Sequence, residues 1–163
     1  MKKVFAAMVF VAALFPLGVS ALTMQQENLV GIPDRFVVTV SHFDGDGALT
    51  ASAVKKSVED LLTAAQLSVV EKRSAPPLSF VNVNVARQDG PEGKSYLLDV
   101  NVYGHSTITT TYRLRKGTVW MMGSEKVVAG KGFPNDVLGR LATMVNFFIR
   151  DYRAANPAEN RQE

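Results

Sequence analysis

The 163 residues include no cysteine, and 18 Lys and Arg stand against 15 Asp and Glu. A chain of this length holds one domain with a sizeable core, and without cysteine it has no disulfide, thiolate metal site or lipid-acceptor residue. A formal charge of +3 and a pI of about 9.3 invite a nucleic-acid reading, which the first element of the chain removes.

That element is residues 1–21. Lys2 and Lys3 make a basic start, the apolar run "VFAAMVFVAALF" follows, and Val19, Ser20 and Ala21 end it with the small or compact residues a signal peptidase inspects. The pattern predicts a secretory signal peptide cleaved after Ala21. The apolar run is shorter than the roughly 20 residues of a spanning helix, so cleavage is preferred to a retained anchor. Without Lys2 and Lys3 the mature chain has 16 basic and 15 acidic residues, a net charge of +1. Nothing in that balance attracts phosphate backbones. A periplasmic or secreted location is expected, with no nucleic-acid partner and no stable membrane span.

Residues 22–34, mixed in composition and ending in Gly-Ile-Pro-Asp, read as an N-terminal arm or linker before a single α+β domain at 35–156. "RFVVTVS" is β-branched and predicts a first strand. Thr50 then caps a helix in which Val54, Val58, Leu61, Leu62 and Ala65 recur at helical spacing. "SVVEK" predicts a short strand before "SAPPLS" interrupts. In "FVNVNVARQDGPEGKSYLLDVNVYG", Val81, Val83 and Val85 alternate with Asn82 and Asn84, and Leu98, Val100 and Val102 with Asp99 and Asn101. This predicts an antiparallel hairpin with one apolar and one polar face. "STITTTYRLR" and "TVWMMG", joined by a turn at Lys116 and Gly117, are expected to extend the sheet.

Asn135 is placed to cap a last helix. Its apolar stripe is Val137, Leu141, Met144, Val145, Phe148 and Tyr152, and Pro157 ends it. Residues 157–163 read as a flexible tail. The element order predicts a two-layer α+β sandwich, a mainly antiparallel sheet of four to five strands with two helices packed on one face.

Few residue sets carry chemistry. "DGDG" invites calcium, yet counting from Asp44 the fifth position is Ala48, the sixth Leu49 and the twelfth Lys55, where a calcium loop needs a donor, a glycine and a glutamate. The stretch reads better as a glycine-permitted turn. "GKS" at 93–95 lacks the upstream glycine of a phosphate loop, since Gln88 stands there, and a hairpin turn supplies no helix N-terminus. No G-x-S-x-G elbow accompanies His42 or His105, so no acid, base and nucleophile set can be assembled. The expectation is a protein without enzymatic activity, cofactor or assigned metal site. His42, Asp44, Asp46 and His105 are the weak candidates for an ion, should they converge at one end of the sheet.

The polar sheet face carries the leading candidate. Asn82, Asn84, Asp99 and Asn101 share it, and Thr109 lies in the threonine run beyond. Short amides are disfavoured in strands, so their concentration marks a surface for a partner as well as a solvated face. Trp120 and Met121 place large apolar groups on both sides of one strand, one of which needs a cover. The partner-binding candidates are therefore Asn82, Asn84, Asp99, Asn101, Thr109, Trp120 and Met121.

Three features, the alternating strand of Val81, Val83 and Val85, the strand pair ending near Trp120, and "DYRAANP" from Asp151, also resemble a diffuse group of small exported bacterial proteins, mostly uncharacterised. The topology is similar to small periplasmic assembly-factor domains such as the amino-terminal domain of the Tol–Pal component TolB. The resemblance carries no catalytic residue. It implies a non-enzymatic periplasmic protein that binds a cell-envelope partner, as an accessory or assembly factor, through the polar face, a sheet edge or the arm. That partner is expected to be a protein or a second copy of the chain. The alternative is a small-ligand or metal-ion binding protein, and a hydrolase ranks third.

Overall fold

The structure, a computed structural model, describes residues 22–45, 47–71, 78–91, 93–108 and 113–157. In order these form α1 (Met24–Glu27), β1 (Arg35–Phe43), α2 (Ala51–Ala64), β2 (Ser68–Val69), β3 (Ser79–Gly90), β4 (Gly93–Ile108), β5 (Arg113–Val128) and α3 (Asn135–Ala155). The fold is α+β with an open five-stranded sheet in the order β2-β1-β3-β4-β5. No described helix is long and apolar enough to cross a membrane.

The β3–β4 hairpin forms as its alternation predicts, from Phe80 opposite Tyr103 down to Gly90 opposite Gly93. The sheet is mainly antiparallel, as expected, and mixed, because β1 runs parallel to both β2 and β3; a strand followed by a helix returns parallel when the helix serves as the crossover. One feature of the sheet differs from expectation, the turn at Lys116 and Gly117. Those residues lie inside β5, opposite His105 and Gly104, so β4 and β5 run past that point, and their connection falls at 109–112, outside the described residues.

Both long helices follow their apolar spacing. Thr50 Oγ1 accepts from the Ala53 amide at 3.1 Å and caps α2, which buries Val54, Val58 and Leu62. In α3 all six residues of the expected stripe are buried, with Ile149, Asp151 and Ala155 besides. Asn135 does not cap α3. It is the first helical residue, and Pro134 before it offers no side-chain cap.

The buried residues of both helices join Phe36, Val38, Val81, Val83, Val85, Leu98, Val100 and Val102 in one core cluster. Those strand residues alternate, so they come from one face of the sheet. Rings meet at its centre: Phe148 of α3 lies 5.6 Å from Phe36, 5.4 Å from Trp120 and 6.0 Å from Tyr152.

Residues 22–34 do not behave as a linker. Leu29 and Ile32 are buried in the core, and the end of α3 holds the segment by its backbone. Tyr152 Oη donates to the Ile32 carbonyl at 3.0 Å. Asn156 donates to the Leu29 carbonyl at 2.8 Å and accepts from the Gly31 amide at 3.0 Å. Gly104 makes room for this arm, since a Cβ there would stand 2.5 Å from Ile32 Cδ1.

The turn after β1 also needs its glycines. Gly47 has φ +86°, and a Cβ on Gly45 would stand 2.3 Å from the Phe43 ring and 2.4 Å from the Leu49 carbonyl oxygen. Because a backbone atom is one of the obstacles, Gly45→Ala is expected to cost about 1–3 kcal/mol, the usual penalty of overpacking. Chemical denaturation reads it as a lowered midpoint at constant slope.

Candidate functional site

The face of the sheet opposite the core cluster is a set of cross-strand rows fixed by strand register. The first row is Val37, Phe80, Tyr103 and Thr118; the second is Thr39, Asn82, Asn101 and Met121. The third is His42, Asn84 and Asp99. A fourth consists of Ala86, Leu97 and Lys126, and a fifth of Gln88, Ser95 and Val128. Successive rows lie two residues apart, so the five span roughly 27 Å along the strands. At the far end Gly90, Pro91, Gly93, Ser95, Lys126 and Val128 line a groove of about 260 Å³.

The two middle rows carry the short amides. Thr39 Oγ1 donates to Asn82 Oδ1 at 2.9 Å, and the Ser41 hydroxyl donates to the same oxygen. Asn82 Nδ2 reaches toward Asn84 Oδ1 at 3.4 Å. Asn82 is only 6% exposed, and these bonds satisfy the polar atoms it buries. Across the hairpin, Ser124 Oγ donates to Asp99 Oδ1 at 2.8 Å. Register shifts bracket both hydroxyls: one at Val40/His42 in β1 and one opposite Leu98/Val100 in β5. Each bulge adds a residue: the one in β5 leaves Ser124 beside Asp99, whereas Ser41 follows Thr39 by alternation and the bulge in β1 brings His42 onto the same face.

Asn82, Asn84, Asp99 and Asn101 are thus brought together as expected. Met121 joins them beside Asn101 and is 54% exposed. Trp120 does not belong there. It is 3% exposed, lies in the core, and donates from Nε1 to Asp151 Oδ2 at 3.0 Å. Alternation along β5 sends Trp120 and Met121 to opposite faces, and the indole N–H finds its acceptor on α3. Thr109 lies outside the described residues. Thr39, Ser41 and Ser124 were missed by the sequence reading. The first two were legible as the i, i+2 pair of "VTVS", whereas Ser124 depends on a bulge that no local pattern announces.

The ion candidates separate. His42 Nε2 stands 3.0 Å from Asp44 Oδ2 on the surface, and Asp46 is outside the described residues. His105 lies six residues along β4 from Asp99, about 20 Å toward the other end of the sheet. No group of three His, Cys, Asp or Glu side chains among the described residues is placed to hold a metal ion.

No protein-family model and no curated protein matches this chain. The geometry is therefore the guide to function, and it presents two polar clusters. The polar face is one. The other surrounds Asp151, which is 8% exposed and accepts from Trp120, from Gln26 Nε2 at 3.1 Å and from Arg150 Nη2 at 3.0 Å. It joins α1, β5 and α3.

Burial pushes the Asp151 carboxyl up, but hydrogen bonds from Trp120, Arg150 and Gln26, with the Arg150 charge, outweigh it and hold the group below its ordinary value. A depressed folded-state pKa contributes stability that is fully present above the unfolded value of about 3.9 and is lost as pH falls through the folded pKa. Asp151→Asn removes that dependence. Unfolding followed between neutral and acid pH should show the wild type losing more stability than the variant below about pH 4; parallel curves would contradict the assignment.

Proposed function

We propose that this is a non-enzymatic periplasmic protein that binds a cell-envelope partner through the open face of its sheet, in the role of an accessory or assembly factor. The observation that carries the reading is the combination, on one face, of a row of short amides and carboxylate with a half-exposed Met121 beside it. A face meant only for water is ordinarily dressed in long charged side chains and threonine, since Asn and Asp are poor strand residues. Here the amides are retained in the centre of the sheet.

The arm is a poorer candidate, because Tyr152 and Asn156 tie its backbone to α3. The signal-like residues 1–21 support export. Ion binding through His42 and Asp44 draws less support, since His105 is remote and the pair is solvent-exposed.

The test compares two surface variants in the strain of origin. Asn101→Glu with Met121→Lys alters the open face, and Lys56→Glu alters the exposed side of α2. Neither set disturbs the core, so both variants should unfold within about 0.5 kcal/mol of the wild type. The expected result is that the face variant no longer co-fractionates with the envelope while the α2 variant does. Equal co-fractionation of both would overturn the reading.

A further inference from the structure

We infer that the partner of this face is an uncharged, hydroxyl-rich carbohydrate chain, and that the source an exported protein meets is the glycan strand of the cell wall. The inference rests on the binding face proposed above and names what it holds.

The distribution of polarity argues for it. Protein-binding patches have an apolar, desolvated centre with anchors such as Trp or Tyr, and a polar rim. This face is the reverse. Its centre is Asn82, Asn84, Asp99 and Asn101, and its half-buried rings, Phe80 and Tyr103, lie in the row at one end. An apolar protein patch laid over that centre would strip water from amides and give nothing back.

Hydroxyl groups would give it back. Each Asn side chain offers an acceptor oxygen and two donor hydrogens, and a hydroxyl both donates and accepts. Asn101 makes no side-chain hydrogen bond among the described residues, Asn84 is engaged only through its oxygen, and Asp99 keeps one oxygen clear of Ser124. Asn84 faces Asp99 directly, and Asn101 stands two residues along β4 from Asp99, so these three place donors and acceptors on one hairpin, while Asn82 is buried and already satisfied. Asp99 is the only formal charge among these four residues, which disfavours an acidic or phosphorylated polymer. Polar groups spread over neighbouring strands fit an extended chain better than a small molecule, which favours a concave pocket.

Co-sedimentation of the purified mature protein with purified peptidoglycan sacculi tests this, with a soluble chitooligosaccharide (neutral, N-acetylated and peptide-free) and a soluble neutral glucan as competitors. The chitooligosaccharide should compete with the sacculi, and binding should change less than about twofold when salt is raised to screen charges. Asn101→Ala and Asn84→Leu should each weaken it about tenfold, whereas Lys56→Ala on α2 should leave it unchanged. Asn101→Ala removes a half-buried side chain that has no side-chain hydrogen bond among the described residues, and keeps the test valid should Asn84→Leu disturb the sheet. No competition by the chitooligosaccharide, abolition by salt, or indifference to both Asn variants would overturn the assignment, and so would competition by the soluble glucan alone. Should sacculi fail to bind while the face variant still loses envelope co-fractionation, the carbohydrate assignment falls and the binding face stands. Failure of both removes both.

Discussion

Phe148→Ala is expected to lower stability by about 3–5 kcal/mol, the range for emptying a buried aromatic site. Phe148 is fully buried, and its ring is shared by Phe36 of β1, Trp120 of β5 and Tyr152 one helical turn away. Those neighbours belong to three elements, so no single shift can close the space. Phe36 is itself held edge-on by Tyr152 at 5.3 Å, which limits its movement into the gap. With no disulfide to constrain the unfolded chain, the loss is a large fraction of a typical domain's stability. Urea unfolding of the variant should show a much lower midpoint with an unchanged slope; a loss under about 1 kcal/mol would mean that the cluster relaxes freely.

Asp151→Ala comes next, at about 2–3 kcal/mol. The substitution strands the indole N–H of Trp120, buried at 3% exposure, and releases Gln26 and Arg150. The charge of Arg150 is largely exposed, so most of the loss comes from the orphaned indole and from α1 losing its tether. Asp151→Asn should behave more mildly because it still offers Trp120 an oxygen. Amide exchange distinguishes the two effects: in Asp151→Ala it should speed up around Gln26 and Leu29 before the sheet opens. Unchanged exchange at those residues would contradict the tether.

The Asp151 cluster explains why the closing motif says little when read alone. In "DYRAANP", Asp151 holds the indole, Tyr152 reaches the Ile32 carbonyl, and Asn156 clasps Leu29 and Gly31. The partners of Tyr152 and Asn156 stand more than a hundred residues upstream, and no local periodicity encodes a contact of that span. The arm accordingly looks like a linker in sequence, although Leu29 and Ile32 lie in the core. The two long helices were legible for the opposite reason: spacing of apolar residues and the Thr50 hydroxyl are local facts. So was the β3–β4 hairpin, where alternation and a Gly-Pro turn agree.

Strand direction and phase were less legible. Whether β1 pairs parallel or antiparallel depends on where α2 returns the chain, which is a property of packing. The turn signal at Lys116 and Gly117 yielded to the long β4–β5 ladder, in which Gly117 faces Gly104. Bulges in β5 reset the alternation on either side of Trp120 and Met121, so their residue types could not show which one faced the core. The polar face was legible because it is written twice, in β3 and in β4, with the two copies in register.

Two methionines allow the central claim to be tested in place. Met121 stands on the open face at 54% exposure and Met24 on the arm at 79%, so both should oxidise readily in the purified protein. Oxidative footprinting of intact cells, read against the purified protein by mass spectrometry, reports whether either is covered where the protein works. The account predicts several-fold protection of Met121 in cells with Met24 unchanged, and loss of that protection in Asn101→Glu. Equal oxidation of Met121 in cells and in the purified protein would contradict a binding role for the open face.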